Sequence, residues 1–115
     1  MGEAMIIAER ILSLQTASKV RECRVLLRAP EYLDGMWICR YEIGWPDDPD
    51  TGFGAGVDAF QALHLTLQLI GFRLYASAYH KAGTLVFEQP GRGYGFPIPK
   101  NGRDLLIGDD KIFDG

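Results

Sequence analysis

The sequence predicts an α+β domain, an antiparallel sheet of three to four strands with one long helix packed across one face, in the order β-β-β-α-β. Two stretches carry this expectation. Met36 to Ile43 alternates, with Trp37, Cys39, Tyr41 and Ile43 on one side and Ile38, Arg40 and Glu42 on the other, as a half-buried strand does. Gly56 to Ser77 has sustained helical periodicity: Phe60, Leu63, Leu67, Ile70 and Leu74 recur at steps of three and four, which stacks them on one helical face. At 115 residues, 47% apolar and 23% charged, the chain is long enough to build a core without disulfides or metals. A single domain over residues 1–115 is expected, with 91–115 a Gly/Pro-rich and then acidic C-terminal segment.

The first element is a strand from Met5 to Leu14, with Ile6, Ala8, Leu12 and Leu14 sharing a face that Arg10 interrupts. Glu9 and Arg10 are also good helix formers, so a short amphipathic helix is the competing reading. The next fourteen residues favour the strand. Gln15 to Lys19 is polar and turn-like, and Val20 to Arg28 resumes alternation with Cys23, Val25 and Leu27, making an N-terminal hairpin. Pro30 ends the second strand because it has no N–H for a ladder. Asp34-Gly35 supplies residues that tolerate positive φ in a tight turn before Met36. The outer face of the sheet then shows Glu9, Arg24, Arg40 and Glu42, where opposite charges pair across strands.

Trp45 to Gly56, dense in Gly, Pro and Asp, reads as a loop. Asp58 followed by Gln61 fits a capping box at the helix start, and Val57 sits where a hydrophobic staple would begin. After the helix, Tyr79 to Gly83 is a turn and Thr84 to Glu88 a short strand. Pro90 to Pro99 suits neither a helix nor a central strand, so it reads as an extended cover pinned by Tyr94 and Phe96. Leu105–Ile107 and Ile112–Phe113 are small apolar clusters in the acidic tail.

The helix leaves Leu65, Leu69 and Phe72 on the side away from its core stripe. Either the chain from Leu85 to Phe113 folds back over them, or they form a dimer or partner surface. Asp47, Asp48 and Asp50, with Trp45 beside them, make an acidic loop that suits a basic protein partner.

The net charge of −3 argues against a nucleic-acid partner, which calls for clustered Lys and Arg. Gly52, Gly54 and Gly56 precede a helix but fail the dinucleotide-binding register, because Val57 stands where the third glycine belongs and four aspartates would repel phosphate. Those glycines, and Gly91, Gly93 and Gly95, read as turns. No metal site is expected: His64, His80, Cys23 and Cys39 have no ligand spacing. No serine or cysteine has a neighbouring base, so no catalytic residue and no cofactor are assigned. The two cysteines read as small apolar strand residues. With no basic n-region in the opening stretch MGEAMIIAER, whose apolar run is broken by Glu9 and Arg10, and no membrane-length apolar span, the expectation is a reduced, cytoplasmic protein with no membrane partner.

Ala8-Glu9-Arg10, Trp37-x-Cys39-x-Tyr41-x-Ile43, Ala55-Gly56-Val57-Asp58-Ala59-Phe60-Gln61-Ala62-Leu63 and Gly95-Phe96-Pro97 together resemble a family of small bacterial proteins classed as a domain of unknown function. The resemblance runs from about Ile6 to Pro97. It implies a bacterial, soluble, single-domain protein and carries no activity or site residues with it.

The functional expectation is therefore a non-catalytic protein-binding module of the immunity or accessory kind. Its contact surface is Leu65, Leu69 and Phe72, or the Asp47–Asp50 loop with Trp45, and a homodimer is compatible with it. The alternative is a small-molecule binder or enzyme with a pocket between the sheet and the Gly91–Pro97 segment, where Glu9, Arg10 or His64 would converge with Tyr94.

Overall fold

The computed structural model describes residues 4–98. It is an α+β structure with the element order β1 (Ile6–Gln15), β2 (Val20–Arg28), β3 (Glu31–Leu33), β4 (Met36–Ile43), β5 (Asp50–Gly56), α1 (Ala59–Ala76), α2 (Ala78–Lys81) and β6 (Leu85–Val86). The strands form one sheet in the order β3-β4-β2-β1-β6, with β5 also pairing β4, and α1 packs against it. The pairings of β1 with β6, and of β4 with β2, β3 and β5, are antiparallel. The sheet thus has six strands, not three to four. The additions are β3, too short to show a period, and β5, whose glycines disguise it. Residues 99–115, including the acidic tail with its two apolar clusters, lie outside the described residues.

By packing, the chain divides into two compact units, one from the start through Arg10 plus Arg24–Thr66, the other from Ile11–Cys23 plus the chain from Leu67 onward. In the first unit β4 is the central strand. It pairs β2 through Val25–Ile43, Leu26–Glu42 and Leu27–Tyr41, and β3 through a two-residue turn at Asp34 (φ 50°) and Gly35 (φ 84°). Two consecutive positive φ values are what a strand-matching tight turn demands, and Asp-Gly supplies them.

Along its other edge β4 pairs β5 over seven residues, from Trp37–Gly56 to Ile43–Asp50. The stretch expected to be a loop is therefore mostly strand. Its glycines are spaced to leave room. A Cβ on Gly52 would stand 2.8 Å from the Tyr41 ring, one on Gly54 2.5 Å from Thr66 Oγ1, and one on Gly56 2.7 Å from the Ala62 nitrogen. Two residues of strand advance about 6.7 Å and four of helix about 6 Å, so alternate glycines of β5 fall in step with Ala62 and Thr66. Glycine in a strand here marks a close helix approach, not a turn.

The helix begins as its sequence dictates. Asp58 Oδ1 accepts from the Gln61 N–H at 2.8 Å, and Gln61 Oε1 reaches back to the Val57 N–H at 2.7 Å. No staple forms: Val57 is left 85% exposed, while Ala62, the position it would have to cover, is buried elsewhere. The buried stripe of α1 is Ala62, Thr66, Ile70 and Leu74; Leu63 and Leu67 are half-buried and Phe60 is exposed. The expected core stripe is thus rotated toward smaller residues. Close approach to β5 selects Ala and Thr for the contact, whereas the largest side chains had set the expectation.

In the second unit β6 pairs β1 at Ser13–Val86 and Leu14–Leu85, so the fourth expected strand shrinks to two residues. The turn after α1 is instead the short helix α2, capped by Ser77 Oγ accepting from the His80 N–H at 3.1 Å. Gly91, Gly93 and Gly95 all have φ between 80° and 89°, the turn conformation expected of them. The segment beyond them packs as a cover: Tyr94 and Ile98 are buried, and a Cβ on Gly71 would lie 2.4 Å from the Pro97 carbonyl oxygen. It therefore meets α1 at Gly71, and the rest of the segment expected to fold back over the helix, beyond Ile98, lies outside the described residues.

Candidate functional site

On the face of β4 and β5 away from α1, Arg40 and Glu42 alternate with residues that face the helix, and they stand opposite Phe53 and Thr51. One step beyond the Leu27–Tyr41 pair, Arg28 comes level with Arg40. These side chains surround an open depression of about 430 Å³, completed by Tyr41 and Gly52. That volume is in the range of small-ligand sites. The Arg40 guanidinium lies 5.9 Å from the centre of the Phe53 ring, a cation–π distance, and its Nε is 3.9 Å from Glu31 Oε2. Arg28 Nη1 donates to the Ala4 carbonyl at 3.0 Å. Both arginines are thus steered by neighbours of the same unit. Phe53 stays 51% exposed and gives the depression a flat apolar wall.

Of the charges expected on the outer face, two pair as opposite charges should. Arg24 Nε donates to Glu9 Oε2 at 2.9 Å, with Nη2 on the same oxygen, across β2 and β1. Such exposed pairs contribute about 0–1 kcal/mol.

The residues expected to meet a partner fall in different places. Asp47 and Asp48 are exposed and Trp45 is half-buried. Asp50 belongs to the start of β5, where it is half-buried and accepts from the Tyr41 hydroxyl at 3.3 Å. Leu65 is 39% and Phe72 40% exposed, while Leu69 is half-buried. The structure adds a surface that periodicity had hidden. Val57 (85% exposed) and Phe60 (84% exposed) are presented by the capped turn at the start of α1. Asp50 and Gly56 close opposite ends of β5, about 20 Å apart at 3.4 Å per residue, so the acidic loop and this apolar pair are separate surfaces.

The groups expected to line a pocket beside the Gly-rich segment have other engagements. Glu9 pairs with Arg24, and His64 is exposed. Tyr94 Oη lies 2.5 Å from His80 Nδ1 and 3.4 Å from the Leu85 carbonyl, to which it can donate. Tyr75 packs on both rings, with centroids 4.8 Å from His80 and 5.0 Å from Tyr94. The cluster fastens the chain at Tyr94 to the end of α1, and burial lowers the His80 pKa. Burial also pushes the Cys23 thiol up to about 11, and raises Cys39 despite a hydrogen bond involving Thr66. Neither thiol is a ready nucleophile. Among the described residues no three of His, Cys, Asp and Glu gather as a metal would require, and no helix is long and apolar enough to cross a membrane.

The family model of a domain of unknown function, DUF6968, matches residues 8–98. The chain belongs to this family. The match takes in β1 from Ala8, the central strand, the glycine-spaced β5, α1 and the cover segment, so the depression and the capped apolar pair both lie inside it. No curated protein and no solved structure matches the chain. The family therefore sets the extent of the domain and assigns it no activity.

Proposed function

We propose that the protein is a non-catalytic recognition module that binds another protein. The observation that supports this is the pair Val57 and Phe60, large apolar side chains left in water on a turn that Asp58 and Gln61 hold rigid. A preorganised aromatic anchor binds without first losing much conformational freedom. The partner that fits has an apolar cleft for Phe60 and a basic rim, because Asp58 sits between the two side chains and the chain carries a net charge of −3. Leu65, Leu69 and Phe72, and the Asp47–Asp50 loop with Trp45, are the other candidate surfaces.

Affinity capture from the native host tests this, with Phe60→Ser, Leu65→Asp and an Asp47→Lys/Asp48→Lys pair run beside the wild-type protein. A stoichiometric partner lost only with Phe60→Ser, at unchanged melting temperature, supports the reading. Recovery of no such partner overturns it. A wild-type solution mass of two chains that falls to one with Phe60→Ser identifies the occupant as a second copy.

The depression bounded by Arg28, Arg40 and Phe53 favours a second reading, a small-molecule site, on grounds independent of the helix surface.

A further inference from the structure

We infer that the recognition surface is composite, Tyr32 and Met36 from the tip of the β3–β4 hairpin joining Val57 and Phe60 from the start of α1, and that it takes the apolar face of an amphipathic helix whose margins carry Lys or Arg. The inference rests on the protein-recognition reading and deepens it; it is independent of the depression on the outer face of β4 and β5.

Strand pairing brings these side chains to one end of the sheet. Tyr32 stands opposite Trp37, and Trp37 opposite Gly56, so the three form one row across β3, β4 and β5. One step further along, Leu33 stands opposite Met36, and Val57 follows directly on Gly56. All of these residues belong to the first compact unit. Tyr32 is 61% and Met36 48% exposed, beside the almost bare Val57 and Phe60. Single apolar side chains at a surface are ordinary, but Tyr, Met, Val and Phe exposed at one end of a sheet have the composition of an interface core. Both contributing turns are anchored. The Tyr32 ring packs edge-on against Trp37 with centroids 5.7 Å apart, and the Asp58–Gln61 bonds fix the turn that carries Val57 and Phe60.

The charges carried by these two stretches are of one sign. Asp34 lies in the hairpin turn between Tyr32 and Met36, and Asp58 lies between Val57 and Phe60; both are exposed. Residues 29–39 and 53–66 hold no Lys or Arg, and their remaining acid, Glu31, is ion-paired with Arg40. A second copy docked here about a two-fold axis would bring two acidic rims together, whereas a basic margin answers Asp34 and Asp58. The row from Tyr32 to Gly56 spans two inter-strand steps, about 10 Å, which is the width of one helix. A single amphipathic helix therefore reaches the hairpin tip and the capped turn at once.

The test is a nuclear magnetic resonance titration of the full chain with two synthetic amphipathic helical peptides that share one Leu face, the polar face being Lys in one and Glu in the other. The Lys peptide is expected to give saturable shifts at Tyr32, Met36, Trp37, Val57 and Phe60, and the Glu peptide to bind at least about tenfold more weakly. Tyr32→Ser and Phe60→Ser should each weaken the Lys peptide by about tenfold or more at nearly unchanged melting temperature. Asp34→Asn, and Asp58→Asn, which keeps a cap, should each weaken it by about two- to fivefold, an effect that added salt removes. Weakening by Phe60→Ser but not by Tyr32→Ser overturns the composite surface and leaves the recognition reading with the helix cap alone. Equal binding of the two peptides overturns the basic partner. A wild-type solution mass of two chains that falls to one with either Tyr32→Ser or Phe60→Ser overturns it in favour of a second copy. No saturable shift with either peptide overturns the inference, while the recognition reading still answers to capture from the host.

Discussion

The Gly54 N–H donates to the Thr66 hydroxyl across 2.9 Å, joining the strand β5 to the first half of α1. The same oxygen lies 2.7 Å from the Ala62 carbonyl and 2.9 Å from the Cys39 carbonyl, so its single proton is shared between two acceptors. Thr66 is fully buried, and one side chain thus ties together helix, central strand and edge strand. Losing it should be expensive. Thr66→Val keeps the shape but leaves the Gly54 N–H and the Cys39 carbonyl without that partner, at about 1–3 kcal/mol per group stranded. Gly54→Ala should also destabilise, by roughly 1–3 kcal/mol, since its methyl would meet Thr66 backbone as well as side chain. Urea unfolding reads both, and a neutral Gly54→Ala would mean that strand and helix do not touch.

The rotation of α1 is open to a paired comparison. Ile70 is fully buried and Phe60 almost fully exposed, although sequence spacing puts both on the core stripe. Ile70→Ala should cost about 2–5 kcal/mol. Phe60→Ser should stay within about 0.5 kcal/mol of wild type. Equal losses would return Phe60 to the core.

The helix cap gives a smaller effect. Asp58→Ala removes the acceptor of the Gln61 N–H and should cost about 1 kcal/mol. Gln61→Ala removes the return bond to Val57. Because the two bonds close one turn, the double variant should lose less than the two single losses added. Strict additivity in chemical denaturation would show that they act separately.

Stability should fall on mild acidification. Burial lowers the pKa of His80 from its ordinary 6.5, so the unfolded chain binds the proton more readily than the folded one. The His80 contribution is therefore complete above pH 6.5 and declines as pH drops toward the lowered folded value, below which it stays flat. Thermal melts across this window should show the decline, and His80→Gln should flatten that part of the profile. A wild-type profile that rises on acidification would reverse the sign and place a negative group against the ring.

Both cysteines should be silent to thiol reagents in the native state. Burial raises both pKa values, and each side chain is fully covered. Labelling at mildly alkaline pH should find no reactive thiol until urea is added, and then two per chain. Rapid labelling of one thiol without denaturant would show that its unit opens easily.

The features readable in advance were those set by neighbours in sequence. Asp34-Gly35 adopts positive φ because its residue types permit it, and Asp58 caps because its carboxylate lies three residues from the N–H it satisfies. The alternation of Trp37, Cys39, Tyr41 and Ile43 marks the face turned toward α1. Strand β5 was not readable, since three glycines in seven residues look like a loop unless the opposing helix is known. The depression was equally hidden. Arg28, Arg40 and Phe53 meet only through strand pairing, and nothing in their spacing announces it.

The sequence by itself determined the hairpin, the central strand, the capped helix and the α+β class, because propensity, alternation and capping act within a few residues. The tertiary structure alone decided which side of α1 is buried and which charged groups meet. Apolar residues nearly ring the helix, so periodicity left its rotation open. Close packing against Gly54 and Gly56 settled it, since only Ala62 and Thr66 are small enough to fit there.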